Sequence, residues 1–259
     1  MRCPICGKMM GAGLEYTCGA CASSTQMNMG QLARLGEKCI AAFIPQLDGP
    51  SNVRFSREDI LMGWGPIDRK TFTNERPPCY AVFNSITNNA LMGDERDFVR
   101  IREKNSGNKY SNNVIVEPDK QYEVLIYFNN DAAHEYNSKT NKYVGVARNA
   151  RVAASFPLLM KKAERGFVRG TISSTTTTPL SVWASAHITA SEDMSLHYIE
   201  GSAKIYHNRK WETSGKVLST RLFSEKGTFL GLSELNGVIL GSLDCSGMVV
   251  YTIQTMSEW

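Results

Sequence analysis

From about residue 77 onward, hydrophobic and polar positions alternate in short runs, most clearly in "QYEVLIYF" and "MVVYTIQT". A period of two residues is typical of a β-strand that buries one face. The alternation predicts that one face of each run points into a core. The predicted core positions are Tyr122, Val124, Ile126 and Phe128 in the first run and Val249, Tyr251 and Ile253 in the second.

Other short β-prone runs surround these two, each bounded by Asn, Gly, Pro or Ser. They are "CYAVFNSI", "DFVRIRE", "NNVIVEP", "RVAASFP", "GFVRGTISS", "SVWASAHITA" and "SAKIYHN". No long helical pattern interrupts the series, which argues against parallel βαβ units and favours an antiparallel sandwich. The span exceeds one immunoglobulin unit, so we expect extra strands or two fused sandwiches.

The residues before this region have a helical period. In "QLARLGEKCIAAFIPQL", apolar side chains recur three and four residues apart, and Pro45 ends the pattern. The apolar face packs on its own domain or binds a partner, with Leu32, Leu35 and Phe43 as the partner-binding candidates. The sequence therefore divides into residues 1–24, residues 25–76 with helical character, and a β-sandwich over residues 77–259.

The first 24 residues contain two C-x-x-C pairs, formed by Cys3 with Cys6 and by Cys18 with Cys21. Four thiolates at this spacing can surround one tetrahedral zinc ion, and a segment this small needs a metal or disulfides to fold. We expect a structural zinc ribbon, with crossed disulfides and unpaired thiols as alternatives. The other three cysteines are an odd number and make no complete disulfide framework. These are Cys39, Cys79 and Cys245.

Charge excludes some function classes. The 259 residues have a formal net charge of +4, and the basic residues are scattered rather than grouped. The cysteine-rich segment carries only Arg2 and Lys8 against Glu15. We therefore expect neither nucleic acid nor an anionic membrane as a partner. No apolar run approaches the roughly 18 residues of a membrane span, and the chain shows no secretory signal.

The segment "GDERDF" concentrates acidic side chains at Asp94, Glu95 and Asp97. Three carboxylates in one loop could hold calcium. The segment lacks the alternating acidic pattern of a dedicated calcium loop, and Arg96 and Arg100 stand beside the acids. A charge-paired turn is therefore the favoured interpretation, with a weak calcium site as the alternative.

Evidence for catalysis is weak in the sequence. It contains no nucleophile elbow and no glycine-rich phosphate loop opening a helix. His187, His197 and His207 lie on or near neighbouring predicted strands, and solvent-facing positions are favoured over a metal site. The polar run "SSTTTTP" precedes Trp183, which would suit carbohydrate stacking if exposed and a core if buried. We expect a protein that is not an enzyme.

Two stretches resemble a repeat module of bacterial surface proteins and a related group of exported proteins of Gram-positive bacteria. The repeat module has a "Y-x-x-G-S-A" element, which is matched by Tyr198, Gly201, Ser202 and Ala203. Its later "L-x-G-x-I-x-G" element is matched by Leu235, Gly237, Ile239 and Gly241. "FNSITNNALMGDERDFVRIRE" and "VEPDKQYEVLIYFNND" resemble the front half of the exported group. The resemblance covers about residues 81–255. It implies an immunoglobulin-like surface sandwich and no enzymatic activity.

Together these observations predict a surface or assembly subunit of a Gram-positive-type bacterium that contacts itself or another protein. Zinc is the expected cofactor. Unpaired sheet edges would join neighbours by strand addition, and two different attachable ends would form filaments. Two alternatives remain open: a cytosolic zinc-ribbon adaptor, which the missing signal peptide favours, and a carbohydrate-binding module.

Overall fold

The computed structural model describes residues 63–207, 215–232 and 234–257. Several predicted features therefore lie outside the described residues and stay predictions. They are the zinc ligands Cys3, Cys6, Cys18 and Cys21, and the partner-binding candidates Leu32, Leu35 and Phe43.

The described residues form thirteen strands in two sheets. Sheet I contains β1 (Trp64–Gly65), β3 (Asn113–Val116), β5 (Arg151–Ser155), β7 (Arg165–Ser173), β8 (Ser181–Ala190) and β12 (Thr228–Phe229). Sheet II contains β2 (Val99–Glu103), β4 (Gln121–Phe128), β6 (Leu159–Met160), β9 (Met194–Tyr198), β10 (Lys204–His207), β11 (Lys216–Val217) and β13 (Gly247–Ser257). Short 3-10 helices cover His134–Asn137, Thr220–Phe223 and Leu243–Cys245.

Sheet I has the order β1-β8-β7-β5-β12, and β3 pairs with β8 in parallel. Sheet II has the order β11-β10-β13-β4-β2, with β9 beside the second half of β13 and β6 beside β9. All the other strand pairs are antiparallel. The fold is therefore mainly antiparallel β with two open sheets, as in a β-sandwich.

The predicted core faces of β4 and β13 are confirmed. Their register places Val249 opposite Ile126 and Tyr251 opposite Val124, and all the predicted core side chains are at most 2% exposed. A Cβ added at Gly170 of sheet I would lie 3.0 Å from Ile126. Because only closely packed sheets bring these positions together, the predicted face of sheet II meets sheet I.

The opposite face of sheet II is also buried, which the alternation did not predict. Leu125, Tyr127 and Met248 are at most 2% exposed although they point away from sheet I. Buried and partly exposed side chains thus alternate only at the start of "QYEVLIYF", where Gln121 and Glu123 are partly buried. A strand covered on both sides tolerates apolar residues at successive positions.

The run "CYAVFNSI" forms no regular strand, so this prediction was wrong. The run lies beside the residues after β4 and is joined to them by isolated backbone hydrogen bonds. Asp131 N donates to the Val82 carbonyl at 2.9 Å, and Asn84 N donates to the Asn129 carbonyl at 3.1 Å. Asn84 has a φ of 48°, a left-handed conformation that interrupts an extended ladder. Side chains add to these backbone bonds, as when Asn84 Nδ2 donates to the Tyr127 carbonyl at 2.9 Å.

One edge of sheet II lies beside one edge of sheet I. The sheet II edge strand β2 contacts β3 at the sheet I edge. β6 and β11 lie beyond β13, on the opposite side of sheet II. In the part of the chain that the structure describes, no helix is long and apolar enough to cross a membrane.

Candidate functional site

The three acids of "GDERDF" do not share one site. Asp94 forms a two-pronged pair with Arg96, whose Nε lies 2.9 Å from Oδ1, and Asp97 Oδ2 lies 3.7 Å from the Arg100 guanidinium. Glu95, between the two, points inward and is 0% exposed. The three carboxylates therefore point in different directions, and the weak calcium site at these residues stays a prediction.

Glu95 instead joins a buried polar cluster between the 84–95 loop and the end of β4. Its Oε1 accepts from Asn89 Nδ2 at 2.5 Å and from Asn129 Nδ2 at 3.4 Å. The same Asn129 nitrogen donates to Asp131 Oδ1 at 2.7 Å, so one amide links two buried carboxyl groups. Asp131 Oδ2 also accepts from the Ser85 backbone at 2.5 Å and from the Ser85 hydroxyl at 2.7 Å.

Burial decides the protonation of this carboxyl pair. Loss of water raises the pKa of Glu95 well above its ordinary value, and the charge of Asp131 raises it further. Burial also raises the pKa of Asp131, although hydrogen bonds with Glu95 and Ser85 oppose that shift. Two like charges this close are costly without water, so the arrangement favours a protonated Glu95 beside an ionised Asp131.

A buried arginine supplies the nearest counter-charge. Arg69 is 6% exposed, and its three guanidinium nitrogens have no hydrogen-bond partner among the described residues. Its pKa is lowered to about 10, chiefly by burial and then by the charge of Arg96, while the carboxylates Asp94, Asp131 and Glu95 oppose the shift. Arg69 lies 5.5 Å from the Trp64 ring, and Arg96 lies 4.3 Å from the same ring. The Trp64 ring thus lies close to two cations.

The outward face of sheet I has a different character, which we call the arginine face. Its strand positions point away from sheet II and carry three arginines, several hydroxyl groups and three aromatic rings. They are Arg151, Ala153, Ser155, Arg165, Phe167, Arg169, Thr171, Ser173, Ser181, Trp183, Ser185, His187, Thr189 and Phe229, with Gly65, Asn113 and Ile115 at the β1 and β3 edge. Among these described positions none is Asp or Glu.

Two guanidinium groups of the arginine face are held in place by aromatic rings. Arg169 lies 4.4 Å from the Trp183 ring and donates through Nε to Ser185 Oγ at 3.0 Å. Arg151 lies 3.7 Å from the Phe229 ring and donates to the Gly227 carbonyl at 3.3 Å. A ring and one hydrogen bond fix each guanidinium plane, which leaves further N–H groups directed outward.

Trp183 and the threonine-rich loop have mainly structural contacts. A Cβ at Gly65 would lie 2.5 Å from the Trp183 indole, so Gly65 packs directly on the ring that Arg169 stacks against. In the loop, Ser174 Oγ donates to the Arg148 carbonyl at 2.7 Å, and Thr176 Oγ1 donates to the Val146 carbonyl at 2.9 Å. These contacts show a fixed turn and an indole with little free surface.

The three histidines predicted on neighbouring strands do not meet in one place. His187 lies on the arginine face against Phe167, with ring centroids 5.0 Å apart, whereas His197 and His207 belong to sheet II. His197 is exposed, but His187 and His207 are 7% and 0% exposed. The solvent-facing interpretation was therefore wrong for two of them. The described residues contain no group of three or more His, Cys, Asp or Glu placed to hold a metal.

Apolar side chains are exposed on the edge strands. Ile115 on β3 is 68% exposed, Leu159 on β6 is 62% exposed and Val217 on β11 is 56% exposed. Each of these strands pairs with one neighbour only among the described strands. Edge strands of soluble proteins are usually protected by charge or proline, and β3 contains neither, whereas Lys161 follows β6 and Lys216 lies on β11.

Sequence reasoning found Glu95 but missed its partners. Asp131, Asn129 and Arg69 are distant in the chain, and only the packing of the 84–95 loop on the end of β4 brings them together. The polar run "NND" (residues 129–131), directly after the apolar strand β4, was the available signal. A comparison of the chain with protein-family models, with curated proteins and with solved structures found no match in any of the three.

Proposed function

We propose that this protein is a structural subunit that is not an enzyme and that assembles with copies of itself at a bacterial cell surface. The observation that carries the proposal is the pair of exposed apolar edges, β3 with Ile115 and β6 with Leu159. An edge strand offers backbone donors and acceptors for pairing, and apolar side chains add burial when a second strand covers them.

The positions of the two edges favour a head-to-tail contact. β3 lies beside β2 on one side of the molecule, and β6 lies beyond β13 on the other. A contact between the β3 edge of one copy and the β6 edge of the next leaves a free edge at each end of the pair. Such a heterologous contact continues into a chain of subunits unless its rotation closes a ring.

Other expectations belong to the same proposal. The sandwich is of the immunoglobulin-like type of bacterial surface repeats, and residues 1–24 form a zinc ribbon held by Cys3, Cys6, Cys18 and Cys21. The resemblance of residues 81–255 to surface repeats supports the location, and the paired cysteine spacing supports the zinc. The ribbon and the following helix meet the sandwich of the same neighbour and strengthen the contact that the two edges form.

Complementation between two edge variants tests the head-to-tail contact. Ile115→Lys places a charge on the β3 edge, and Leu159→Lys does so on the β6 edge, while each leaves the other edge intact. The full-length chain should associate in a concentration-dependent manner, as measured by light scattering and sedimentation velocity. Each variant alone should stay monomeric, and an equimolar mixture should form heterodimers that go no further.

Val144→Lys is the matched control, because Val144 is 45% exposed but lies in a loop and not on an edge strand. It should associate like the unmodified chain. A full-length protein that stays monomeric at every concentration would refute assembly and favour the adaptor. Variants that still form long assemblies would show that the contact lies elsewhere.

A further inference from the structure

We infer that the arginine face of sheet I binds an anionic polysaccharide whose acidic groups are carboxylates. This inference is independent of the proposed assembly, because it uses a sheet face and not the sheet edges. The arginine face is positively charged. Arg151, Arg165 and Arg169 are its charged residues among the described outward positions, and Glu164, which directly precedes Arg165, lies at one end.

The spacing of the arginines makes a linear track. In the register of β5 with β7, Arg169 lies opposite Ser155, which is four residues from Arg151 along β5. Four residues of an extended strand span about 13 Å. Between the two arginines the paired positions are Ala153 and Thr171, whose small side chains leave the surface low. A polymer can therefore lie across this part of the sheet and reach both arginines.

The anchoring of the guanidinium groups suits them to carboxylates. Arg169 has one N–H used by Ser185, and Arg151 has one used by the Gly227 carbonyl. Among the described residues neither guanidinium group has an acidic partner. A planar fork with free N–H groups recognises a carboxylate through two parallel hydrogen bonds. Because the rings hold the forks in place, little side-chain freedom is lost on binding.

A shallow groove continues from Arg169. It is lined by Ser155, Phe156, Pro157, Gly166, Phe167 and Arg169. Its apolar floor with a hydroxyl and a guanidinium at the rim suits a sugar ring, which has an apolar face and polar edges. The hydroxyl-bearing positions nearby, such as Thr171 and Ser173, can bond to sugar hydroxyl groups.

Two features argue against single-stranded nucleic acid as the occupant. Base recognition uses free aromatic faces as stacking platforms. Here Trp183 is covered by Arg169 and Gly65, and Phe229 is covered by Arg151. Phe167 packs edge-on with His187. The face therefore offers guanidinium groups and hydroxyl groups rather than open rings.

Polygalacturonate fragments provide a direct test with the full-length chain. Binding should be detected by isothermal titration calorimetry at low salt and should weaken as salt screens the charges. Arg151→Gln and Arg169→Gln should each lower the affinity about tenfold, the loss expected when one charge-assisted contact is removed. Arg169→Lys should recover little, because an ammonium keeps the charge but not the planar fork.

The double variant Lys109→Gln/Lys139→Gln is the matched control, since it removes two exposed positive charges outside the arginine face and should bind like the unmodified chain. Thermal unfolding of each variant separates loss of binding from loss of folding. Three results would overturn the inference: no binding of polygalacturonate at low salt, equal binding by folded Arg169→Gln protein, or tighter binding of oligo-dT than of polygalacturonate.

Discussion

Replacing Glu95 with glutamine should remove a pH dependence from the stability of the fold. The side chain is fully buried, and its pKa is raised chiefly by burial and then by the charge of Asp131. The folded state therefore keeps a proton on Glu95 at pH values where the unfolded chain, with an ordinary pKa near 4.5, has released it. Because the unfolded state then binds fewer protons, the free energy of unfolding falls as the pH rises.

The size of the effect follows from one proton. Between about pH 5 and the raised pKa of Glu95, each pH unit lowers the free energy of unfolding by about 1.4 kcal/mol. From pH 5 to pH 7 the loss is about 3 kcal/mol if Glu95 stays protonated throughout. Below the unfolded pKa both states hold the proton, and this contribution to stability is fully present.

Glutamine mimics the protonated carboxyl in shape and hydrogen bonding. Its oxygen can accept from Asn89, and its amide can donate towards Asp131. The other charges around the cluster, on Arg69, Arg96 and Asp94, are the same in both proteins. The difference between the two stability curves therefore reports the titration of Glu95 together with its coupled partner Asp131, whatever pH dependence residues outside the cluster contribute.

Urea unfolding monitored by tryptophan fluorescence at pH 5, 6, 7 and 8 measures these curves. At each higher pH, the free energy of unfolding of Glu95→Gln should rise relative to that of the unmodified protein. Glu200→Gln, at an exposed loop position, is the control and should follow the unmodified protein. Parallel curves for the unmodified protein and Glu95→Gln from pH 5 to pH 8 would refute the assignment of a protonated, buried Glu95.

Two further predictions concern the core and the metal. Phe128→Ala should cost about 3–5 kcal/mol of unfolding free energy, because a fully buried ring is lost and a cavity remains; a change near zero in urea unfolding would contradict its placement. The segment containing Cys3, Cys6, Cys18 and Cys21 should bind one zinc per chain; elemental analysis without stoichiometric metal, with intact disulfides in mass spectrometry, would contradict zinc ligation.

Local pattern located most of the longer strands and one buried face of two central strands, although it also predicted a strand in "CYAVFNSI" that does not form. In β4 and β13, apolar residues at every second position assigned Ile126, Val124, Val249 and Tyr251 to the core, because side chains of a strand point to alternate sides. Turn residues likewise marked most strand boundaries. They could not mark the parallel pair of β3 with β8, since strand order depends on contacts between distant segments.

Only the tertiary structure decided which polar residues meet. "GDERDF" reads as one acidic cluster, but its neighbouring side chains point in different directions, so Asp94 binds Arg96 at the surface while Glu95 enters the interior. The partner carboxyl Asp131 lies on a different segment, and the polar run after β4 that contains it does not show which segment it meets. The arginine face likewise combines side chains from several strands. Such sites arise from sheet register and loop packing, which are long-range properties that local pattern does not contain.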